Sequence, residues 1–285
     1  MKIKSIQSLA FLTTLCLYPA PLQAEEANAA VESAPAEPAD SEALALKLAN
    51  PIASLISVPF QNNFDFGSGP DGDGSKYLLN FQPVIPFDLN EDWNLITRTI
   101  IPYVYQNDVF GTSDNPSGSQ SGLSDTVQSF WFSPKKPTSS GWVLGAGPVI
   151  LYPTATNSLL GAEKWGSGPT AIALKQSGGW TYGALANQIW SFAGDNDRDE
   201  VNQIFLQPFL SFTTKQATTY ALNTESTYQW ETGQWLAPVN LMVSQLVKFG
   251  KQPVQFQVGG RWYAEGPDGG AEWGLRFAVT LLFPK

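Results

Sequence analysis

Residues 273–283 decide the fold class, because large apolar side chains alternate there with small or polar ones. The stretch reads Trp273-Gly-Leu-Arg-Phe-Ala-Val-Thr-Leu-Leu-Phe283. Its odd-numbered positions are all large and apolar, whereas Gly, Arg, Ala and Thr occupy positions 274, 276, 278 and 280. A two-residue period places these two sets on opposite faces of a β-strand. The segment therefore predicts a strand with one apolar face and one hydrated face.

The same alternation recurs toward the N-terminus, and no helical period persists for more than two turns after residue 52. Clusters of Gly, Pro, Asn, Asp and Ser separate the alternating segments, as expected for turns between strands. The pattern predicts an all-β chain of twelve antiparallel strands, at residues 53–66, 76–87, 93–106, 122–133, 141–153, 167–176, 180–192, 201–214, 217–230, 236–248, 253–264 and 272–283.

The linkers between these segments alternate in length. Those after odd-numbered strands are mostly long, whereas those after even-numbered strands are short, as at residues 89–92, 177–179 and 215–216. Outer-membrane barrels combine an even strand number with long outer loops and short periplasmic turns, whereas a soluble sandwich has no reason to sort its loops in this way. We therefore predict a 12-stranded antiparallel outer-membrane β-barrel.

The ten Trp residues fall near the ends of the predicted strands, where a barrel meets the two membrane interfaces. Soluble-core anchors, the alternative, would place several of them near strand middles. Trp131, Trp165 and Trp235 belong to the pattern, and the interface girdle itself is predicted from Trp93, Trp142, Trp180, Trp190, Trp230, Trp262 and Trp273.

The N-terminal region divides into three segments before the barrel, which is predicted over 52–285. Residues 1–24 have two Lys, an apolar stretch and a small-residue end at Ala24, which predicts a secretory signal peptide. Residues 25–42 are rich in Ala, Glu and Pro and predict a disordered acidic spacer. Residues 43–51 predict a short helix, with Ser41 as its N-cap and Pro51 closing it.

The composition excludes several classes of function. The chain of 285 residues has no His, which removes Ser-His-Asp triads, Cys-His dyads and His-ligated metals. Its formal net charge of -9 argues against a nucleic-acid partner, which requires a basic face. We expect no enzyme activity, no cofactor and no metal site. An enzymatic barrel would have to rely on acids at the outer rim, namely Glu231, Glu265, Asp268 and Glu272.

If the apolar faces of the strands meet lipid, the residues on the opposite faces line the lumen. The candidate lining and selectivity residues are Arg98, Glu225, Arg261, Arg276, Asn223, Gln257, Gln207 and Lys248. Neighbouring strands are expected to bring Glu225, Arg261 and Arg276 into one network, which sets charge selectivity or neutralises itself within a filled interior. Twelve strands leave room for small solutes at most.

Several motifs resemble a family of bacterial outer-membrane barrels. They include Asn50-Pro-Ile-Ala-Ser-Leu-Ile-Ser-Val-Pro-Phe60, Leu79-Asn-Phe-Gln-Pro-Val-Ile-Pro-Phe87, Leu206-Gln-Pro-Phe-Leu-Ser211 and Gly274-Leu-Arg-Phe-Ala-Val-Thr-Leu-Leu-Phe-Pro-Lys285. That family carries the labels "transporter" and "neuromedin U", and it is similar to the barrels of the meta-pathway of phenol degradation. The resemblance spans residues 43–285 and implies movement of small molecules across the outer membrane, without a defined substrate or site residue.

We therefore predict a channel or transporter for small solutes in the outer membrane of a Gram-negative bacterium, with hydrophobic or aromatic compounds as candidate solutes. The alternative is a non-conducting structural or receptor barrel, and an outer-membrane enzyme is the third class. The expected partners are outer-membrane lipid and lipopolysaccharide, the barrel-assembly machinery and an unidentified small solute. That machinery ordinarily recognises a terminal aromatic residue, whereas here Pro284 and Lys285 follow Phe283.

Overall fold

The computed structural model describes residues 38–110 and 118–284. The predicted signal peptide, and the predicted spacer up to residue 37, lie outside the described residues. Within them, no helix is both long enough and apolar enough to cross a membrane.

Twelve antiparallel strands make up most of the described chain, at positions close to the predicted ones. Four of the strands are interrupted by one or two irregular residues. The strands are β1 (Ile56–Ser68), β2 (Gly74–Phe81 and Val84–Asp88), β3 (Trp93–Asn107), β4 (Ser119–Leu123 and Thr126–Pro134), β5 (Trp142–Tyr152), β6 (Lys164–Ser177), β7 (Trp180–Gly194), β8 (Asn202–Thr213), β9 (Thr218–Thr224 and Ser226–Gln229), β10 (Gln234–Leu236 and Pro238–Phe249), β11 (Gln252–Tyr263) and β12 (Trp273–Phe283).

Each strand pairs with its neighbours in the chain, and the last strand returns to the first. β12 pairs along the length of β1, for example Phe60 with Val279, and β8 pairs with β9, for example Ser211 with Ala221. The interruption of β2 occurs at Pro83, which has no N–H to donate to the ladder, yet the register continues unchanged beyond it. The fold is a closed 12-stranded antiparallel β-barrel, as predicted.

The two faces of the barrel wall have the polarity of a membrane protein. Large apolar side chains such as Tyr220, Leu241 and Phe277 are exposed on the outside, whereas Asn240 and Arg276 are fully or almost fully buried on the inside. A soluble protein shows the reverse arrangement. The outward face is therefore suited to lipid, and the polar side chains line the lumen.

The connections confirm that the two ends of the barrel differ. Short turns at 89–92, 178–179, 214–217 and 250–251, with a longer one at 135–141, lie at one end. The opposite end has the loops 69–73, 153–163, 195–201, 230–233 and 264–272, together with the described ends of the connection from Asn107 to Ser119, and the loop 153–163 includes a 3-10 turn at Ser158–Leu160. The connection at 230–233 is short because Thr227–Gln229 of β9 pair with Gln234–Leu236 of β10 right up to the turn.

A single α-helix, α1 (Pro38–Leu48), precedes the barrel and lies in its short-turn mouth. The predicted bounds, 43–51, are wrong, because the helix begins within the predicted spacer and Ser41 lies inside it and does not cap it. Pro38 at the first position suits a helix start, where an N–H has no partner. Ala45 is fully buried and packs in one apolar cluster with Leu246 and Leu282, near the ends of β10 and β12.

The lumen has an apolar side and a polar side. Strands β3 to β7 contribute the buried cluster Ile96, Trp131, Ile172, Leu174 and Leu185, joined by Ile52 from the segment after α1. The buried polar side chains of β12, β1 and β10, such as Arg276, Asn63 and Asn240, form the other side. The interior is therefore partly filled by apolar packing and is less uniformly polar than the alternation implied.

Trp131 corrects the prediction that every Trp lies at a membrane interface. Its side chain is fully buried inside the barrel, and its indole N–H donates to Thr170 Oγ1 at 3.2 Å. The physical reason is local alternation: Trp131 shares its face with the buried Ser129 and Ser133, whereas the neighbouring Phe132 faces outward. The remaining described Trp side chains lie near strand ends on the outer face.

Candidate functional site

The polar side of the lumen contains a chamber of about 250 Å³. α1 forms its floor at the short-turn end through Ala45 and Leu48. Arg276 and Glu225 line its opposite end. We call this space, bounded by α1 and by the Arg276–Glu225 pair, the central chamber.

The Arg276–Glu225 pair crosses the lumen from β12 to β9, above β11 and β10. Arg276 donates from both terminal nitrogens to the two Glu225 carboxylate oxygens, at 3.0 and 2.7 Å. Its Nε donates to Asn63 Oδ1 at 2.8 Å, and its side chain also contacts the Met242 sulfur at 3.8 Å. A bidentate arrangement of this kind is strong and geometrically specific. The two charges neutralise each other and hold four strands together inside the barrel.

Of the predicted network of Glu225, Arg261 and Arg276, Arg261 makes its direct ion pair with another acid. Its Nε lies 3.6 Å from Asp65 Oδ1 on β1, and its guanidinium lies over the Tyr263 ring at 5.4 Å. The register places Asp65 and Arg261 opposite Gly274, nearer the outer end than Arg276. The lumen therefore has two separate ion pairs at different depths.

Asp65 is a site residue that the sequence interpretation missed. It is almost fully buried and aligns on the inward face of β1 with Asn63 and Gln61. The inward face of this segment could have been recognised in the sequence, because Phe60 and Phe64 on the same strand alternate with these polar residues and face outward. What the sequence did not show was that the partner of Asp65 lies on β11.

Arg98 lies on β3 and faces the central chamber from the apolar side. Its guanidinium stacks over the Trp131 ring, 5.3 Å from the ring centroid. Its Nε is buried without a hydrogen-bond partner, and among the described residues its side chain has no ion pair. A guanidinium with one face against an aromatic ring retains its planar fork for another group.

Amide side chains line much of the remaining chamber wall. Gln207, Asn223 and Gln257 all line it, and the Asn240 side-chain amide donates to Asn223 Oδ1 at 2.8 Å. Further amides there are Gln61, Gln82 and Gln255. These groups both donate and accept hydrogen bonds, so the chamber offers a polar solute replacements for its hydrating water.

Lys248 is a predicted lumen residue that the structure places elsewhere. Its side chain is exposed near the end of β10, beside the short turn to β11, and it does not line the chamber. The two-residue period of β10 predicts that Lys248 faces inward, but the strand ends one residue later, at the rim of the barrel. The predicted girdle residues Trp93, Trp180, Trp190, Trp230, Trp262 and Trp273 are exposed on the outside near strand ends, and Trp142 is half-buried there.

Two outer loops are tied together over the apolar side of the lumen. Arg198 from the loop 195–201 donates to the Ser158 and Gly161 carbonyls at 2.8 and 2.6 Å. The buried Lys164 at the start of β6 donates to Glu200 Oε1 at 2.7 Å. The hydrogen bonds from Lys164 and then Ser191 hold the pKa of Glu200 below its ordinary value. These contacts close part of the outer mouth.

No protein-family model matches the chain, and no curated protein matches it by sequence. An outer membrane channel from Pseudomonas putida F1 is similar in structure, with a TM-score of 0.64 and 14% identity over 81% of this chain and 96% of that chain. Outer membrane phospholipase A from Escherichia coli gives a TM-score of 0.46 and 10% identity over 86% and 98% of the two chains. The β domain of the Bordetella autotransporter Brka gives a TM-score of 0.46 and 9% identity over 81% of this chain and 100% of that chain.

The resemblance to the barrels labelled neuromedin U and to the phenol meta-pathway group stays a prediction. The similarity to the channel from P. putida F1, together with the strand pairing, establishes the fold. This chain thus has the fold of a 12-stranded outer-membrane β-barrel.

Proposed function

We propose that the protein is an outer-membrane channel for small solutes in a Gram-negative bacterium. The observation that carries the proposal is the central chamber, an unfilled cavity lined by amides and arginines as well as by apolar side chains, inside a barrel whose other side is filled by apolar packing. A barrel with a purely structural role has no need for unfilled space lined by amides and arginines. The fold shared with the channel from P. putida F1 supports the same function.

In this proposal, the structure represents a closed state of the channel. α1 occupies the short-turn mouth, and the Arg276–Glu225 pair crosses the lumen above the chamber. The contact of α1 with the barrel is modest, since it consists of one apolar cluster and a hydrogen bond from Gln176 Nε2 to the Leu46 carbonyl at 2.8 Å. A segment held in this way belongs to the low-stability part of the fold, and its release is the opening step of the proposed channel.

Lipid and lipopolysaccharide remain the proposed surroundings of the barrel, and the barrel-assembly machinery its proposed insertion partner. The exposed apolar side chains on the outer face, with Trp rings near both strand ends, support a lipid environment. The acidic residues of the outer loops suit divalent-ion bridges to lipopolysaccharide.

Ion current through the purified protein in planar bilayers tests the proposal. We expect current above that of empty bilayers, with an ion selectivity that Arg98→Gln changes. Lys248→Gln is the matched control, because it removes the same charge from the exposed rim outside the chamber. Recovery in the outer-membrane fraction and heat-modifiable migration on gels establish that each variant is a folded barrel.

A non-conducting structural or receptor barrel is the second candidate, favoured by the apolar cluster around Trp131 and by the presence of α1 in the mouth. Absence of current from the wild type and also from a variant with α1 released would support this candidate and overturn the channel. Enzyme activity has weaker grounds, because the chain has no His to activate a Ser nucleophile.

A further inference from the structure

Arg98 is the charged side chain of the central chamber for which the described residues form no ion pair. Three charged side chains line the chamber, namely Arg98, Arg276 and Glu225. Both Glu225 oxygens are engaged by Arg276 at 3.0 and 2.7 Å. The other inward acid nearby, Asp65, forms an ion pair with Arg261, closer to the outer end of the barrel than the Arg276–Glu225 pair.

An unpaired cation in this position is costly. Arg98 is partly withdrawn from solvent, its Nε is buried without a hydrogen-bond partner, and one face of its guanidinium lies against Trp131. An ionisable group enclosed within a membrane barrel is expensive unless it serves a pathway or a ligand. The chamber therefore carries an excess positive charge next to open space, even though the whole chain has a formal net charge of -9.

The walls beside Arg98 determine what kind of anion fits. Leu185 and Phe209 line the chamber on its apolar side, and Leu48 of α1 contributes from the floor. The amides of Gln82 and Gln207 also line it. A ligand that satisfies both surfaces has one anionic end, an apolar body and few other polar groups.

The size of the chamber restricts the ligand further. The chamber volume is about 250 Å³. That is below the ~300–1,000 Å³ range typical of pockets for drug-sized ligands. A single unpaired arginine with a planar fork matches one carboxylate.

We propose that the central chamber binds a small organic monocarboxylate, with its carboxylate on the Arg98 guanidinium and its apolar body against Leu185 and Phe209. This inference rests on the proposed channel for its biological meaning, because the bound molecule would be the transported solute. It names the solute class that the channel accepts.

Binding of benzoate to the detergent-solubilised full chain, measured by isothermal titration calorimetry, tests the inference without requiring conduction. Benzoate has the expected charge, apolar body and size, and benzamide is its neutral counterpart of nearly the same shape. We expect benzoate to bind and benzamide to bind at least about tenfold more weakly, because charge-assisted hydrogen bonds contribute more than neutral ones. This comparison uses the wild type alone, so it holds even where a variant fails to fold.

Substitutions locate the site. Arg98→Gln should weaken benzoate binding by about tenfold or more, and Arg98→Lys should weaken it less because it keeps the charge without the fork. Lys248→Gln should leave it unchanged. Heat-modifiable migration shows that each variant is folded.

The inference is overturned by absence of benzoate binding, by equal binding of benzoate and benzamide, or by unchanged binding in Arg98→Gln. Ion current without benzoate binding would leave the channel standing and remove the carboxylate site. Benzoate binding without current, both in the wild type and in a variant with α1 released, would leave the site standing and remove the channel.

Discussion

Release of α1 from the barrel mouth is the prediction that most directly separates a closed channel from a filled barrel. Ala45 is fully buried against Leu246 and Leu282, so Ala45→Asp would place a carboxylate in an apolar cluster. Burying an unpaired charge costs several kcal/mol. Because each ~1.4 kcal/mol changes an equilibrium tenfold, a penalty of about 4 kcal/mol lowers the ratio of docked to released α1 about a thousandfold.

The matched control is Ala43→Asp, which introduces the same charge on the same helix at an exposed position. In planar bilayers, Ala45→Asp should increase the fraction of time that the channel is open, whereas Ala43→Asp should conduct like the wild type. The two substitutions have the same effect on helix propensity, so a difference between them reports the buried contact.

Chemical labelling provides a second measurement of α1 release that does not depend on current. Leu282 is fully buried beneath α1, and the sequence has a single Cys, Cys16, within the predicted signal peptide. A Leu282→Cys variant should react slowly with a hydrophilic maleimide, and adding Ala45→Asp should accelerate the reaction. If both Asp variants match the wild type in conductance and in labelling, α1 does not close the barrel and the reasoning fails.

Three further predictions concern stability. Arg276→Gln should lower the free energy of unfolding in urea by about 2–4 kcal/mol, because it leaves the largely enclosed Glu225 carboxylate in the lumen without its partner. Adding Glu225→Gln should recover part of that loss, whereas an additive double variant would contradict the pairing. Trp131→Ala should cost about 3–5 kcal/mol in the same assay as a large inner side chain is removed, and a cost near zero would argue against its burial. The pKa of Glu200 is lowered in the folded protein, so its contact with Lys164 should stabilise the fold at pH values above the ordinary pKa of Glu, and this stabilisation should be lost as the pH falls through the lowered pKa. Glu200→Gln should remove this pH dependence of the thermal unfolding temperature, and identical pH profiles for the variant and the wild type would refute it.

Much of the fold followed from local sequence because a β-barrel wall is periodic along each strand. Alternation in residues 273–283 and 253–264 placed those strands within a residue or two of β12 and β11. Turns marked by Gly or short polar runs set the strand ends. The start of α1 was misplaced because the Ala- and Glu-rich residues before 43 suit both a spacer and a helix, and the packing of Ala45 against the barrel favours the helix.

The site was predicted less completely, for two distinct reasons. Lys248 was assigned to the lumen because alternation shows which face a residue is on but not where the wall ends. Trp131 was assigned to an interface by its place near a strand end, although the small neighbours Ser129 and Ser133 on its face already indicated the interior. Arg98, a predicted lumen residue, lies on the wall of the chamber, but its lack of an ion pair was visible only in three dimensions.

The sequence by itself determined the class of fold and the face on which most side chains lie, since a two-residue period is a local property of the chain. Only the tertiary structure decided which inward charges meet. Arg276 pairs with Glu225, 51 residues earlier, and with Asn63, 213 residues earlier, whereas Arg261 pairs with Asp65. These partners depend on strand register and on closure of β12 against β1, which no local pattern encodes. Arg98 forms no ion pair for the same reason, because the strand register brings no carboxylate of the described residues within ion-pair distance of it.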